Sequence, residues 1–313
     1  MTLTLHVDQM AWRRRVKATL ADHGDVIAVV KGNGYGFGRP YLAREAVALG
    51  VGRLAVGTVH ELAGLPDVAA APLVLTPALG DDVALAGAAV LTVGSIAHVR
   101  AAAGREQPVT VKLASSMRRY GVDPDDLGAL LAAVDDARLV VDGFALHLPL
   151  TGDAAGEIEA WLAVLPPGRP LTLSHVEPTT LHQLRARHPE RRLPVRLGTA
   201  LWHGDKGELA LRAGVVDVRP ADRPAAGYRH APVPSGGGTL VMVGAGTAHG
   251  VHPLPDGRSP FHFARQRLAL VEAPHMHTSM VWVPPGAPGP DAGDEVDVQV
   301  PLTHVTVDRL LMA

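Results

Sequence analysis

A single lysine, Lys31, ends the apolar run Val26-Ile27-Ala28-Val29-Val30 and is followed by Gly32, Asn33, Gly34, Tyr35, Gly36, Phe37 and Gly38. Lysine occurs only at Lys17, Lys31, Lys112 and Lys206, among 29 lysines and arginines, so its place here is no by-product of composition. The run is rich in β-branched residues and reads as a buried parallel strand. The glycines remove side chains where the backbone must turn sharply or approach something closely. A lysine amine held partly desolvated at a strand tip loses affinity for its proton and becomes a nucleophile toward carbonyl carbon. That is the chemistry of a Schiff-base lysine. An ordinary strand-to-helix turn with a solvated lysine fits the same stretch, and the spacing alone leaves both open.

The elements that must position this lysine follow a regular order. Strand-like runs are 26–30, 53–56, 73–76, 90–93, 109–113, 139–147, 171–174 and 195–197. Helix-like stretches lie between them at 41–49, 81–86, 96–103, 123–133, 155–164 and 179–187. Asp123-Pro124 ahead of an apolar-periodic run is a helix start with proline in the first turn. Eight strands, each followed by a helix or turn, is the count of a TIM (β/α)8 barrel. An open doubly wound sheet would alternate in the same way; the count favours closure. From about Val215 long helical periods vanish and strand-like runs appear at 239–243, 267–272, 280–283 and 295–300, an all-β pattern that ends soon after Asp308. The fold read from this pattern is α/β, a barrel over residues 1–212 followed by a β domain over 213–313.

Composition narrows the function classes. The chain has 313 residues, 47% hydrophobic and 19% charged, with a net charge of −2 and no basic tract, so nothing points to nucleic acid or an anionic membrane. The absence of cysteine excludes a disulfide framework, a thiolate nucleophile and thiolate-bound zinc. No apolar run reaches spanning length and Met1 to Met10 lack the layout of a signal peptide, so a cytoplasmic protein is expected.

Val29-Val30-Lys31-x-Asn33-x-Tyr35-Gly36-x-Gly38 resembles the cofactor-lysine signature of the alanine racemase family. The resemblance implies that Lys31 carries pyridoxal 5′-phosphate (PLP) and that Tyr35 binds its phosphate. Lys112-Leu113-Ala114-Ser115-Ser116-Met117-Arg118-Arg119-Tyr120-Gly121 is similar to the family's Lys-Val-Asp-Thr-Gly-Met-x-Arg-x-Gly. Lys112 then matches a lysine that is often carbamylated, and Arg119 an arginine that contacts the cofactor's phenolic oxygen and the substrate carboxylate. Gly143-Phe144-Ala145-Leu146-His147 implies that His147 lies against the pyridine ring. In Ser174-His175-Val176-Glu177-Pro178-Thr179, Thr179 is the expected phosphate hydroxyl, with helix-start amides beside it. Val195-Arg196-Leu197-Gly198 places Arg196 against the pyridine nitrogen, where a permanent cation keeps that nitrogen unprotonated.

The resemblance breaks in the β domain. The family's second catalytic base, a tyrosine reaching across a homodimer interface, corresponds to Thr247 in Gly246-Thr247-Ala248-His249-Gly250. A threonine hydroxyl is too weak an acid or base for that role near neutral pH. The family's Cys-Met-Asp-Gln appears as His275-Met276-His277-Thr278, which retains Met276 for substrate contact. His249, His252, His275 and His277 leave three readings. One histidine, with His249 first, replaces the tyrosine; or His275-x-His277 binds a divalent metal; or these are surface histidines and racemase chemistry is lost. The expected function is a PLP-dependent, homodimeric racemase of a small amino acid, with no metal assigned. The alternatives are a PLP lyase of the D-threonine aldolase or D-serine dehydratase type, whose metal-ligand segment 293–304 faintly resembles, and a PLP-binding protein without racemase activity.

Overall fold

The apolar run ahead of Lys31 forms a strand buried on both faces, as its β-branched composition requires. The computed structural model describes residues 3–105, 107–204 and 206–313. In chain order come β1 (Leu3–Val7), α1 (Gln9–His23), β2 (Val26–Val29), α2 (Arg39–Ala48), β3 (Arg53–Val56), β4 (Leu73–Val74), β5 (Leu91–Val93), α3 (Ile96–Ala102), β6 (Pro108–Lys112), α4 (Leu127–Asp136), β7 (Val140–Ala145), α5 (Ala154–Val164), β8 (Leu171–Thr172), α6 (Pro178–Arg187), β9 (Val195–Leu197) and α7 (Thr199–Trp202). Strands β2 to β9 pair in parallel as two runs, β4-β3-β2-β9 and β5-β6-β7-β8. Parallel bridges at Leu73–Val90 and Leu173–Val195 join the two runs at both edges. The eight strands therefore close into the expected TIM barrel. Two of the expected helices differ in kind: residues 80–86 form a 3-10 helix, and a 3-10 turn at 124–126 precedes α4.

Two backbone features fix the open end of the barrel. Gly121 has φ +143°, and a Cβ there would lie 2.5 Å from the carbonyl carbon of Leu113, so only glycine lets the loop after β6 return onto the strand end. Trp202, fully buried, donates from Nε1 to the carbonyl of Val29 at 2.7 Å, tying α7 to the end of β2 just before Lys31.

The residues of 15–32 and 39–204 form one compact unit, and the described residues of 1–14, 33–38 and 205–313 form a second. Position 212, the expected boundary, lies inside a long strand of the second unit. That strand, β10 (Leu209–Pro220), is followed by β11 (Ala225–Ala226), β12 (Ala231–Pro232), β13 (Thr239–Val243), β14 (Phe261–Phe263), β15 (Gln266–Arg267), β16 (Ala269–Leu270), β17 (Ser279–Val283), β18 (Glu295–Val298) and β19 (Arg309–Met312). β10 pairs antiparallel with β1, β13 and β18. Alternating burial along β17 and β18 gives this sheet one packed face. Just past Asp308, β19 pairs in parallel with β1. The segment 33–38 joins this unit through Asn33, whose Nδ2 donates to the carbonyls of Leu302 at 2.7 Å and Val305 at 2.5 Å.

Trp202→Phe leaves the buried Val29 carbonyl without its indole donor. It should cost about 1–3 kcal/mol, read as a lower urea midpoint at unchanged slope; an unchanged midpoint would show that this bond does not hold the strand end.

Candidate active site

Four cations meet at the open end of the barrel unit. Lys31 follows β2, Lys112 ends β6, Arg119 lies in the loop after β6, and Arg196 sits within β9. Lys31 is exposed, yet surrounding protein desolvates its amine and lowers its pKa. Arg119 and Arg196 lower it further by repulsion, while Glu61 pulls the other way. Glu61 is held beside it by accepting the Gly57 N–H at 2.8 Å on Oε2. Lys112 is buried, donates to the carbonyls of Leu113 at 3.1 Å and Ala145 at 3.4 Å, and has its pKa lowered to about 7 by burial and then by Arg196 and Arg119. Arg196 is buried, donates to the Leu146 carbonyl at 2.8 Å, and its pKa is lowered to about 10, mainly by desolvation. It stays charged at neutral pH.

His147, just after β7, lies beside these cations. Burial, then Arg196 and His175, lower its pKa to about 3, so the ring is neutral over the working range. Its Nδ1 is 2.6 Å from the buried Ser174 hydroxyl, and its ring lies 4.8 Å from that of His175. His175 has φ +56° and is held by the Leu148 carbonyl at 2.7 Å from Nδ1. Arg119 rests against Tyr120, with its guanidinium carbon 4.9 Å from the ring centroid and Nη2 3.4 Å from the phenol oxygen. The phenol donates to the Leu75 carbonyl at 3.1 Å. Thr179 is exposed in the first turn of α6. Glu61, Ser174, His175 and Tyr120 went unread in the sequence; the only local signal was Ser174-His175 at a strand end.

The other predicted residues belong to the second unit. Tyr35 is buried at φ +55°. His249 is buried, its Nδ1 accepting the Gly246 N–H at 3.1 Å and its Nε2 lying 3.1 Å from Asp308. Met276 is exposed. Among the described residues no three or more histidine, aspartate or glutamate side chains converge as metal ligands. Glu295, in the segment resembling a lyase metal site, instead contacts His6 at 3.2 Å.

Comparison with known proteins decides the family. The model for the alanine racemase N-terminal domain matches residues 6–165, just over half of the chain. The chain belongs to the alanine racemase family. The alanine racemase of Mycobacterium bovis is 34% identical over 133 residues, which cover 39% of this chain and 35% of that protein. The Mycolicibacterium smegmatis alanine racemase is 33% identical over 148 residues, 43% of this chain and 38% of that one. These matches span little more than a third of the length of either relative. The fold agrees over the whole chain. The alanine racemase of Bartonella henselae, solved with covalently bound pyridoxal phosphate, superposes with a TM-score of 0.77 at 16% identity and full coverage of both chains. That of the D-cycloserine producer Streptomyces lavendulae gives 0.71 at 21% identity, covering 100% of this chain and 97% of that one.

Thr247, expected to stand where the racemases have a tyrosine, bonds through its N–H and its hydroxyl to the His275 carbonyl, at 2.8 and 3.3 Å. His249, the first candidate to replace it, has both ring nitrogens engaged. In this arrangement neither residue has a nitrogen or oxygen ready to exchange a proton with a substrate.

Lys112 gives a test of the cation cluster by its pH dependence. Between its folded pKa of about 7 and the ordinary 10.5, the unfolded chain holds a proton that the folded chain lacks, so the group subtracts from stability as pH falls through that window and by a constant amount below it. The stability of Lys112→Met relative to the parent should therefore fall as pH rises from 7 to 10. A difference that is flat with pH would contradict the lowered pKa.

Proposed function

We propose that the chain is a cytoplasmic, PLP-dependent racemase of a small amino acid, with Lys31 as the Schiff-base lysine. The observation that carries this reading is a lysine amine inside a family signature, its pKa lowered by burial and by Arg119 and Arg196, with Lys112 lowered by burial and the same two arginines. Such a cation set is under strain until an anion joins it, and a group bearing a phosphate, a phenolic oxygen and an amino-acid carboxylate suits it. The neutral His147 ring offers a face for an aromatic ligand beside Arg196. Bound there, PLP withdraws electron density from an amino acid's Cα and acidifies its Cα–H.

In this reading each residue has a part that its surroundings allow. The lowered pKa of Lys31 leaves more of its amine neutral at working pH to take a proton from one face of Cα. Arg119, steadied by Tyr120, orients the substrate carboxylate, and Met276 contributes to the substrate subsite. Arg196 holds a fixed positive charge against the pyridine nitrogen, so that nitrogen stays unprotonated and electron withdrawal is restrained. That suits a proton shuffle better than elimination. Tyr35 and Thr179 take the phosphate. The site is completed in a homodimer, a reading supported by the exposed Tyr228 and Met276 of the β unit.

A PLP-binding protein without interconversion is the second reading, favoured by Thr247 in the tyrosine's place. Cofactor placement is tested by borohydride reduction of the protein with PLP. The pyridoxyl group should be fixed on Lys31, and label on Lys112 or Lys206, or no absorbance change at saturating PLP, would overturn the assignment. Light scattering at micromolar concentration should give twice the chain mass; a stable monomer would remove the interface site.

A further inference from the structure

Two glycines at the open end of the barrel unit share one arrangement. Gly57 follows β3 and Gly94 follows β5, and the N–H of each is accepted by a side chain four residues on: Glu61 Oε2 at 2.8 Å and His98 Nδ1 at 3.1 Å. Each glycine also lies against a lysine at the end of the neighbouring strand. A Cβ on Gly57 would stand 3.4 Å from Lys31 Cβ, and a Cβ on Gly94 would stand 3.4 Å from Lys112 Cβ. The same point beside Gly57 is 3.1 Å from Glu61 Oε1, so the carboxylate and the lysine stem share the space that the missing Cβ leaves. Glu61 is brought there by the 3-10 turn Val59–Glu61, and the Gly57 carbonyl is pinned by the Thr76 N–H at 2.9 Å.

The two acceptors differ in charge. Desolvation lowers the pKa of His98, so the ring beside Lys112 is neutral at neutral pH. The carboxylate that acts on Lys112 is Glu157 of α5, and it is bonded through both oxygens to Ser116. Around Lys31, burial lowers the amine's pKa, Arg119 and Arg196 lower it further by repulsion, and Glu61 opposes all three. A clip for the turn needs an acceptor for the Gly57 N–H, which a neutral side chain supplies at Gly94; it does not need a charge. An amine pressed by cations alone gives up its proton and resists taking one back. A base that must do both in every turnover works best with its pKa near the operating pH.

We propose that Glu61, seated by Gly57, is a positioning residue that lets Lys31 regain a proton as well as lose one. The proposal rests on the reading of Lys31 as the base at Cα. In the forward step the Cα–H bond breaks, its electrons stay with the substrate, and the proton forms an N–H bond at Nζ. The ammonium so formed has the Glu61 carboxylate to offset Arg119 and Arg196. In the return step that N–H bond breaks and the proton goes back to Cα. Glu61 carries no proton in this scheme and acts through the lysine.

The test reads the amine itself, in the full chain freed of carbonyl ligands by hydroxylamine. Trace acetic anhydride is applied from about pH 6 to 11 and acetylation is followed lysine by lysine by peptide mass spectrometry. Lys17, exposed on α1, is the internal reference. Glu61→Gln keeps an acceptor for the Gly57 N–H and removes the charge. The midpoint of the Lys31 rate profile should move to lower pH, with labelling below it about 3- to 10-fold faster relative to Lys17 and an unchanged plateau at high pH. Gly57→Ala needs no positive φ, and its added Cβ displaces the carboxylate, so it should move the midpoint the same way by less. An unmoved midpoint in Glu61→Gln, or a raised plateau alone, which reports access rather than charge, would overturn the proposal. Borohydride reduction with PLP separates it from the racemase reading. Label on Lys31 with an unmoved midpoint removes the part given to Glu61 alone, whereas label elsewhere or none removes that reading and this proposal with it.

Discussion

Like charges crowded at the end of a parallel barrel are the constraint around which this chain is organised. Arg119 and Arg196 repel Lys31, Lys112 and each other in a partly dry site, with Glu61 and Glu157 as opposing anions. Glu157 is already engaged, accepting from the Ser116 N–H at 2.7 Å and its hydroxyl at 2.9 Å. The imbalance persists because each cation is anchored by something rigid: strand ends for the lysines and Arg196, the Tyr120 ring for Arg119. A folded chain that maintains such a field holds part of its binding energy in reserve for an anionic ligand.

The same field sets the protonation states that chemistry requires. Lys31 is driven toward its neutral form while Arg196, starting from a far higher pKa, remains a cation under similar pressure. His147 is pushed the other way from a usable acid, to a ring with no charge at all. One electrostatic environment thus lowers the proton affinity of an amine, leaves a guanidinium charged and keeps an imidazole neutral. In the β unit carboxylates sit beside imidazoles instead, at Glu272–His275, Asp308–His249 and Glu295–His6.

Much of the barrel was legible because its strands are consecutive apolar, β-branched runs, each bounded by glycine or a helix start. The eight runs read from the chain correspond to β2 through β9; 53–56 and 195–197 match at both ends, 109–113 is shifted by one residue, and the rest are shortened by a residue or a few. β1 and β19 were not legible, since each is stabilised by a partner about 300 residues away and carries no turn signal of its own. Lys31, Arg119, Arg196 and His147 were found through their place in motifs at strand ends. Glu61 and Ser174 were not, because their roles arise from a backbone turn and a cross-strand meeting that no spacing records. His249 attracted notice by proximity to the vacant tyrosine position, but proximity in sequence says nothing about whether both ring nitrogens are spent.

Asn33, two residues beyond Lys31, donates its hydrogen bonds to carbonyls 269 and 272 residues further along the chain. During synthesis, therefore, the barrel strands around Lys31 are all outside the ribosome while the segment that follows the lysine still lacks its anchors. Those anchors, and the strand β19 that pairs with β1, emerge after the barrel strands. A nascent chain can close its barrel with local, sequential pairings before the carbonyls that hold Asn33 are made. The turn that carries the chain away from Lys31 is in that sense ordered later than the strand that leads into it.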